Sequence, residues 1–474
     1  MVDRPRKFRR FRLALVIVTI AALGLFGGPT LRVMYMTPSK PRDHRAALRA
    51  ARLSDMAVDP DLASEAWTEL CSALDRTPKL LRQLELERRA TGDDAFVLIE
   101  PIHKLPRMDP TLHDREREVL DKLAASGVVE TVTRTVERPV ALRHGGGSMD
   151  RAMTLDPLPE LDQIRTYVDA RRATMRLAAA EGRFEATAAV FDELLGLAET
   201  LAHQPLYIDR AFAVAYANTA ITELQQELAE YAFDEAACTR LLRTLETRAF
   251  PSLAVAIEGE RARILDLIER VYSDDGAGDG RLVPSAGVAV TSGTERRVRL
   301  RDIVPAFKSR FLWAGRAETI DLVNAHFDRA VARAELAPPA RSAPPFWTDE
   351  MTRLRNDAPF VFATVPGLDP IYAADECLAA DLAGARVTVA AEQFFAREGR
   401  LPETLDELTP SILPAVPVDP RTDETFRYRR IDDDRFLLYG DGRDGVDDGG
   451  VFDPAAPRAG ETAGTDMLIA PLPR

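Results

Sequence analysis

Residues 394–450 read FFAREGRLPETLDELTPSILPAVPVDPRTDETFRYRRIDDDRFLLYGDGRDGVDDGG, and they carry the clearest structural signal in the chain. A helix ends at Gly399, and residues 416–420 (VPVDP) lead into two short segments that alternate in polarity. This alternation predicts a pair of antiparallel strands. An acidic, glycine-rich loop, residues 441–450, follows the second strand. The pattern therefore predicts a small unit of one helix packed on a sheet.

The predicted strands place their aromatic and aliphatic residues on shared faces. Side chains two residues apart point to the same side of a strand, so Phe426 lies beside Tyr428 and Phe436 beside Leu438. We expect these four to pack against an apolar set from the preceding helix and turn: Phe394, Phe395, Leu405 and Leu408.

The acidic loop has the composition of a calcium site. Between residues 432 and 453 lie eight aspartates and only two arginines. Ca²⁺ takes six to eight oxygens, from carboxylates and from backbone carbonyls that glycine turns expose. The candidate ligands from this composition are Asp444, Asp447 and Asp448. The alternative is a solvated loop of Asp-Gly turns without a metal.

The order of motifs resembles the C-terminal part of the major pseudopilin of type II secretion systems. The motifs are LP-x-x-L-x-x-L, P-x-D-P, FRYR, FLLYG and D-G-x-D-G-x-D-D-G-G, and they cover about 65 of the 474 residues. The resemblance implies a calcium ion in the matching loop. It assigns Asp444 to the central Asp-Gly position, with Asp447, Asp448 or Asp453 as the second carboxylate.

Two features depart from that family. Pseudopilins carry a glycine- and glutamate-containing processing site before their apolar helix, whereas here basic residues lead directly into Leu13. Pseudopilins are also short, whereas about 340 residues separate the apolar N-terminal segment from the similar module here. We therefore expect no pseudopilin-like processing, and the layout is similar to large membrane-anchored bacterial proteins with a helical ectodomain.

The N-terminal region predicts a membrane anchor. Residues 13–31 carry no charge and follow six basic residues. At 1.5 Å per residue this run spans about 28 Å, close to the thickness of a bilayer core. The basic flank favours a cytoplasmic N-terminus, an inner-membrane location and an extracytoplasmic remainder. A cleaved signal peptide is the alternative.

The long middle region predicts helical hairpins. Apolar residues recur at helical spacing through residues 160–272, and Gly182 separates the first two helices. Residues 128–136 (VVETVTRTV) alternate instead and predict a strand. The fold class is therefore mainly α, a helical-hairpin ectodomain with a small C-terminal α+β module.

These signals divide the chain into six parts. They are a basic tail and anchor (1–32), a linker and mixed helical region (33–159), a helical-hairpin domain (160–336), a Pro-rich linker (337–371), the pseudopilin-like module (372–458) and a tail (459–474).

Composition narrows the function without naming a reaction. The net charge of −13 argues against nonspecific nucleic-acid binding. The three cysteines lack CxxC spacing, which favours free thiols over a disulfide framework, with one Cys238–Cys377 bridge as the alternative.

No familiar catalytic motif is present. We therefore expect a non-enzymatic anchored scaffold with protein partners in the cell envelope. The alternatives are an accessory of a secretion or pilus-like machine and an enzyme with an unrecognised site.

Overall fold

The computed structural model describes residues 23–90, 110–137, 141–143, 151–274, 280–293, 296–341, 348–441, 446–451 and 466–470. Its helices are α1 (Gly28–Tyr35), α2 (His44–Met56), α3 (Pro60–Ala90), α4 (Pro110–Ala125), α5 (Val128–Val136), α6 (Pro159–Ala180), α7 (Phe184–Ala202), α8 (Tyr207–Glu230), α9 (Glu235–Thr247), α10 (Ala254–Val271), α11 (Pro284–Ser292), α12 (Ile303–Phe311), α13 (Arg316–Ala334), α14 (Pro338–Arg341), α15 (Asp349–Asp357), α16 (Pro359–Phe362) and α17 (Asp369–Glu398). Its strands are β1 (Val418–Asp419), β2 (Glu424–Thr425), β3 (Arg427–Arg430), β4 (Phe436–Gly440) and β5 (Met467–Ala470). The predicted fold class, mainly α with a small C-terminal α+β module, is confirmed.

The middle of the chain forms the predicted helical hairpins. Gly182, with φ of 71°, allows the chain to reverse between α6 and α7, because residues other than glycine rarely adopt that backbone conformation. The amide of Arg183 donates to the carbonyl of Ala178 at 2.8 Å and closes the turn. Helices α7 and α8 then pack side by side. Asp234 begins α9 by accepting a hydrogen bond from the amide of Ala237 at 2.8 Å.

The prediction of a strand at residues 128–136 is wrong, because this segment forms helix α5. Val128, Val132 and Val136 are buried at four-residue spacing, which places them on one helix face. Helix α5 packs against α3 and α7. Burial of this face outweighs the preference of β-branched residues for strands.

The N-terminal described segment packs on α12. Val33 and Met34 of α1 are buried against Ala306, although the sequence predicts a linker from residue 33 onward. The chain then runs in an extended form to α2 and pairs Pro38 with Ser273. No helix within the described ranges, which begin at Leu23, is long and apolar enough to cross a membrane. Most of the predicted anchor, residues 13–22, lies outside those ranges.

The C-terminal module has the predicted helix-on-sheet packing. β3 pairs with β4 in antiparallel register, with Tyr428 opposite Leu438 and Arg430 opposite Phe436. The rings of Tyr428 and Phe436 lie 5.6 Å apart, and the Tyr428 hydroxyl donates to the Pro402 carbonyl at 2.8 Å. The eight side chains predicted to pack together all belong to one hydrophobic cluster: Phe394, Phe395, Leu405, Leu408, Phe426, Tyr428, Phe436 and Leu438.

Two segments that the sequence predicts to be connections contribute to the core. Residues 467–470, within the predicted tail, form β5 and pair with β4. Residues 348–368, within the predicted Pro-rich linker, bury Met351, Leu354 and Val361 in a second cluster with α10 and α13. The prolines around these short segments obscure their apolar spacing, and only tertiary contact reveals it.

The larger hydrophobic cluster joins the hairpins α6–α9 to the C-terminal module. Helix α17 packs against both α8 and α9, and its Arg386 donates to the Leu245 carbonyl at 3.0 Å. Gln393 donates to the Thr239 hydroxyl at 2.7 Å. The three cysteines, all among the described residues, form no disulfide, and Cys238 is buried inside this cluster. The helix of the module therefore shares its core with the hairpins.

Candidate metal centre

Three carboxylates meet where β4 and β5 end. Asp441 directly follows β4, and Asp466 directly precedes β5. Because Gly440 pairs with Met467 in antiparallel register, the next residue on one strand faces the preceding residue on the other. Asp447 approaches from the loop. One carboxylate oxygen from each of the three lies within 4.8 Å of the other two.

Asp466 is the buried member of this group. Its side chain is 1% exposed. It accepts hydrogen bonds from the amides of Asp448, at 3.2 Å, and Gly450, at 2.7 Å. The φ of Gly450 is 82°, and a Cβ there would lie 2.4 Å from Leu437, so the loop needs glycine at this position. Asp466 thus fixes the acidic loop against the sheet.

Asp447 is exposed but held in place. It accepts hydrogen bonds from the amide of Gly449 at 2.9 Å and from the hydroxyl of Tyr439 at 3.0 Å. The Gly449 amide is the main cause that lowers the pKa of Asp447. Burial, followed by the hydrogen bond to Asp447, raises the pKa of Tyr439. Asp447 therefore carries its negative charge at neutral pH.

Arg427 faces this group, and the charge of Arg429 also acts on Asp447. Its Nε and Nη2 atoms each lie 3.2 Å from an oxygen of Asp441, and its Nε lies 3.8 Å from Asp447. The hydrogen bond to Asp441 is the main cause that raises the pKa of Arg427. The guanidinium approaches Asp441 and Asp447, whereas the Asp466 carboxylate accepts hydrogen bonds from two backbone amides in the described part of the loop.

The geometry fits a hard cation. Two oxygens bound to one Ca²⁺ at 2.3–2.6 Å can be no more than about 5 Å apart. The three carboxylates satisfy this condition without any movement of the sheet. Asp441, Asp447 and Asp466 would hold the ion, and backbone carbonyls and water would complete its coordination. The ion would supply charge neutralisation and a crosslink between β4, the loop and β5.

The structure describes only two of the four aspartates that the sequence predicted as calcium ligands. Asp447 belongs to the carboxylate group, whereas Asp444 and Asp453 lie outside the described residues. Asp448 is not in the group found among the described residues, and its amide donates to Asp466 instead.

Sequence reasoning missed two members of the group, Asp441 and Asp466. Asp441 was visible as the first residue after a strand. Asp466 precedes the apolar run Met-Leu-Ile-Ala, which could have been interpreted as a further strand.

A cavity of about 370 Å³ lies between α2, α3 and the start of α6. Its wall contains four arginines, two carboxylates and apolar residues: Arg45, Leu48, Arg49, Arg52, Trp67, Leu142, Arg143, Met153, Asp156, Pro157, Leu158, Glu160, Pro205 and Leu206. Arg45 pairs with Asp156, and Arg143 pairs with Glu160, each at 2.7 Å. Among the described residues that line the cavity there is no serine, cysteine, threonine or histidine.

Comparison with models of known protein families, with curated proteins and with solved structures gives no match for this chain.

Proposed function

We propose that this protein is a non-enzymatic scaffold of the cell envelope, anchored in the inner membrane by residues 13–31, whose C-terminal module is stabilised by one calcium ion. The observation that carries the calcium assignment is the convergence of Asp441, Asp447 and Asp466. These residues come from a strand end, a loop and a strand start, and a single cation would connect all three.

The packing of the helices supports the scaffold assignment. The hairpins α6–α9 and helix α17 share one extended hydrophobic cluster, which suits a rigid surface for binding other proteins. The two carboxylates in the wall of the 370 Å³ cavity, Asp156 and Glu160, form ion pairs with Arg45 and Arg143, which is an arrangement that also serves to hold neighbouring helices together. The likeness of the module to a pseudopilin favours partners in the envelope, and an accessory role in a secretion machine is one form of this function.

The calcium proposal is tested by thermal unfolding of the full chain in detergent, with calcium and with EDTA. A ligand at 100 times its Kd adds about 2.7 kcal/mol to the free energy of unfolding. In a chain of this size we expect calcium to raise Tm by about 2–4 °C. Asp447→Asn should abolish most of the difference, because it removes one ligand charge while keeping an oxygen for Tyr439 and Gly449.

Asp434→Asn is the matched control, since this exposed aspartate lies in the turn between β3 and β4, outside the carboxylate group. It should keep the full calcium response. Equal Tm values in calcium and EDTA for the unmodified chain would exclude calcium as a stabilising ligand. Asp441 and Asp447 would then be balanced by the charge of Arg427.

A further inference from the structure

A strongly basic segment lies on this acidic protein. Residues 296–312 read RRVRLRDIVPAFKSRFL and contain six cationic side chains and one aspartate, in a chain of net charge −13. Five of the cations are exposed: Arg297, Arg299, Arg301, Lys308 and Arg310. The segment therefore presents a local positive surface that the overall charge conceals.

The same segment exposes an apolar helical stripe. Leu300, Ile303, Val304, Phe307 and Phe311 follow the spacing of one helix face and are 84%, 40%, 62%, 36% and 38% exposed. On a helix of a soluble protein this stripe would face the core. Here Ala306 and Ser309 face the core instead. We call the five stripe residues and the five exposed cations the basic–apolar face.

The basic–apolar face adjoins the end of the apolar N-terminal run. The ring of Phe26 lies 6.1 Å from that of Phe307 and 5.3 Å from that of Phe311. Exposed Leu25 and Leu31 extend the apolar surface onto the N-terminal segment. More than half of the exposed large apolar side chains in the described part of the chain lie on these two neighbouring segments.

We propose that the basic–apolar face binds the surface of an anionic phospholipid bilayer, with α12 lying in the plane of the headgroups. This inference adds a second membrane contact to the anchor at residues 13–31. It rests on the proposed function, because the anchor places α12 next to the bilayer. Exposed apolar and aromatic residues flanked by cations are the chemistry of helices at membrane interfaces. The anchor run ends beside this face, so a bilayer that holds residues 13–31 would meet α12.

Charge distinguishes this occupant from a second copy of the chain. Two basic–apolar faces brought together would oppose ten cations, which would repel one another. An anionic lipid surface attracts those cations instead and accepts the apolar stripe between its headgroups. The cations of the basic–apolar face therefore match the charged headgroups, and its apolar stripe matches the space between them.

The test uses the full chain reconstituted into lipid nanodiscs. One set contains phosphatidylcholine alone, and in the other a quarter of it is replaced by phosphatidylglycerol. Hydrogen exchange is followed in peptides that cover residues 297–312. We expect exchange there to be about tenfold slower in the anionic discs, because binding suppresses local opening. Peptides from α9, which is remote from this face, should exchange equally in both.

The charge variant Arg297→Gln/Arg301→Gln should lose most of the difference between the two lipids. The matched control Arg82→Gln/Arg243→Gln removes two exposed arginines elsewhere and should keep it. The double substitution Val304→Ser/Phe311→Ser should weaken protection in both lipids. Salt should also reduce the protection, because it screens the attraction between cations and headgroups.

Retention on both discs with equal exchange at residues 297–312 would overturn this proposal and leave the anchor intact. Retention only on anionic discs, reversed by salt, would support the basic–apolar face and contradict the anchor. Loss from both discs would contradict both proposals. Protection that rises with protein concentration in place of anionic lipid would show a second copy as the occupant.

Discussion

Two histidines are held in environments that oppose their charge. His203 Nδ1 lies 3.1 Å from a guanidinium nitrogen of Arg52. Burial, followed by the charges of Arg52 and Arg210, lowers the pKa of His203 to about 4. His326 is 1% exposed, and burial lowers its pKa to about 4 despite the opposing effect of Glu350. Both imidazoles are therefore neutral in the folded protein at pH 7.

These pKa values predict that stability falls as the pH falls from 6.5 to 4. In that window the unfolded chain binds protons at both histidines and the folded chain does not, so acid favours unfolding. A pKa shift from 6.5 to about 4 corresponds to at most about 3 kcal/mol for each histidine at the acid end. The measurement is the denaturant midpoint as a function of pH.

The double variant His203→Gln/His326→Gln isolates this effect from that of the carboxylates. Glu181, Glu269 and Glu350 have lowered pKa values, so their contributions to stability disappear only below pH about 4.5. The variant should flatten the curve between pH 6.5 and 5 and leave the decline below that range. A curve that is unchanged above pH 5 would contradict the assigned environments.

At the scale of elements, the contact between α17 and β5 is unusually close. A Cβ atom at Gly384 of α17 would lie 2.2 Å from Cγ2 of Ile469, which is fully buried. Only glycine allows the strand to approach the helix this closely. The acidic loop is connected to the same strand through Asp466, so the position of β5 also determines the geometry of the carboxylates.

Gly384→Ala should therefore destabilise the protein by about 1–3 kcal/mol through overpacking. The sign of the change in the free energy of unfolding distinguishes the two cases, because alanine at an unobstructed helix position is more stable than glycine by about 1 kcal/mol. Gly367→Ala controls for the added methyl group alone, since Gly367 lies in the coil before α17 and a Cβ atom added there would have no other atom within 4 Å. Urea unfolding measures both, and stabilisation by Gly384→Ala would show that β5 does not dock on α17.

The elements that the sequence predicted correctly are those with a strong local signal. Gly182 lies between two amphipathic segments, and the alternation around Phe426 and Phe436 identifies a sheet face. The elements that it missed depend on distant contacts. β5 is a short strand that exists only because β4 is beside it, and α5 buries its valines on α3 and α7. Of the three carboxylates, only Asp447 was predicted as a ligand for the same reason, because Asp441 and Asp466 come together only where β4 pairs with β5.

Across the whole molecule, the described residues form two large hydrophobic clusters. One joins the hairpins α6–α9 to α17 and the C-terminal sheet. The other joins α10 and α13 to residues 348–372. Helix α17 contributes Leu378, Val387 and Phe394 to the first cluster and begins with Ile371 and Tyr372 in the second. It therefore connects the sheet, the hairpins and the second cluster.

This arrangement predicts that a defect in the sheet will destabilise the hairpins. Phe436→Ala should lower the free energy of unfolding by about 3–5 kcal/mol, because its side chain is buried in the shared cluster. In native-state hydrogen exchange, the slowest amides of α8 and α9 should lose the same free energy of protection, since they would open with the sheet. Ile431→Ala, at a 43% exposed position in the neighbouring turn, should leave both unchanged. If Phe436→Ala accelerates exchange in the sheet while α8 and α9 keep their protection, the module unfolds independently and the shared cluster does not couple it to the hairpins.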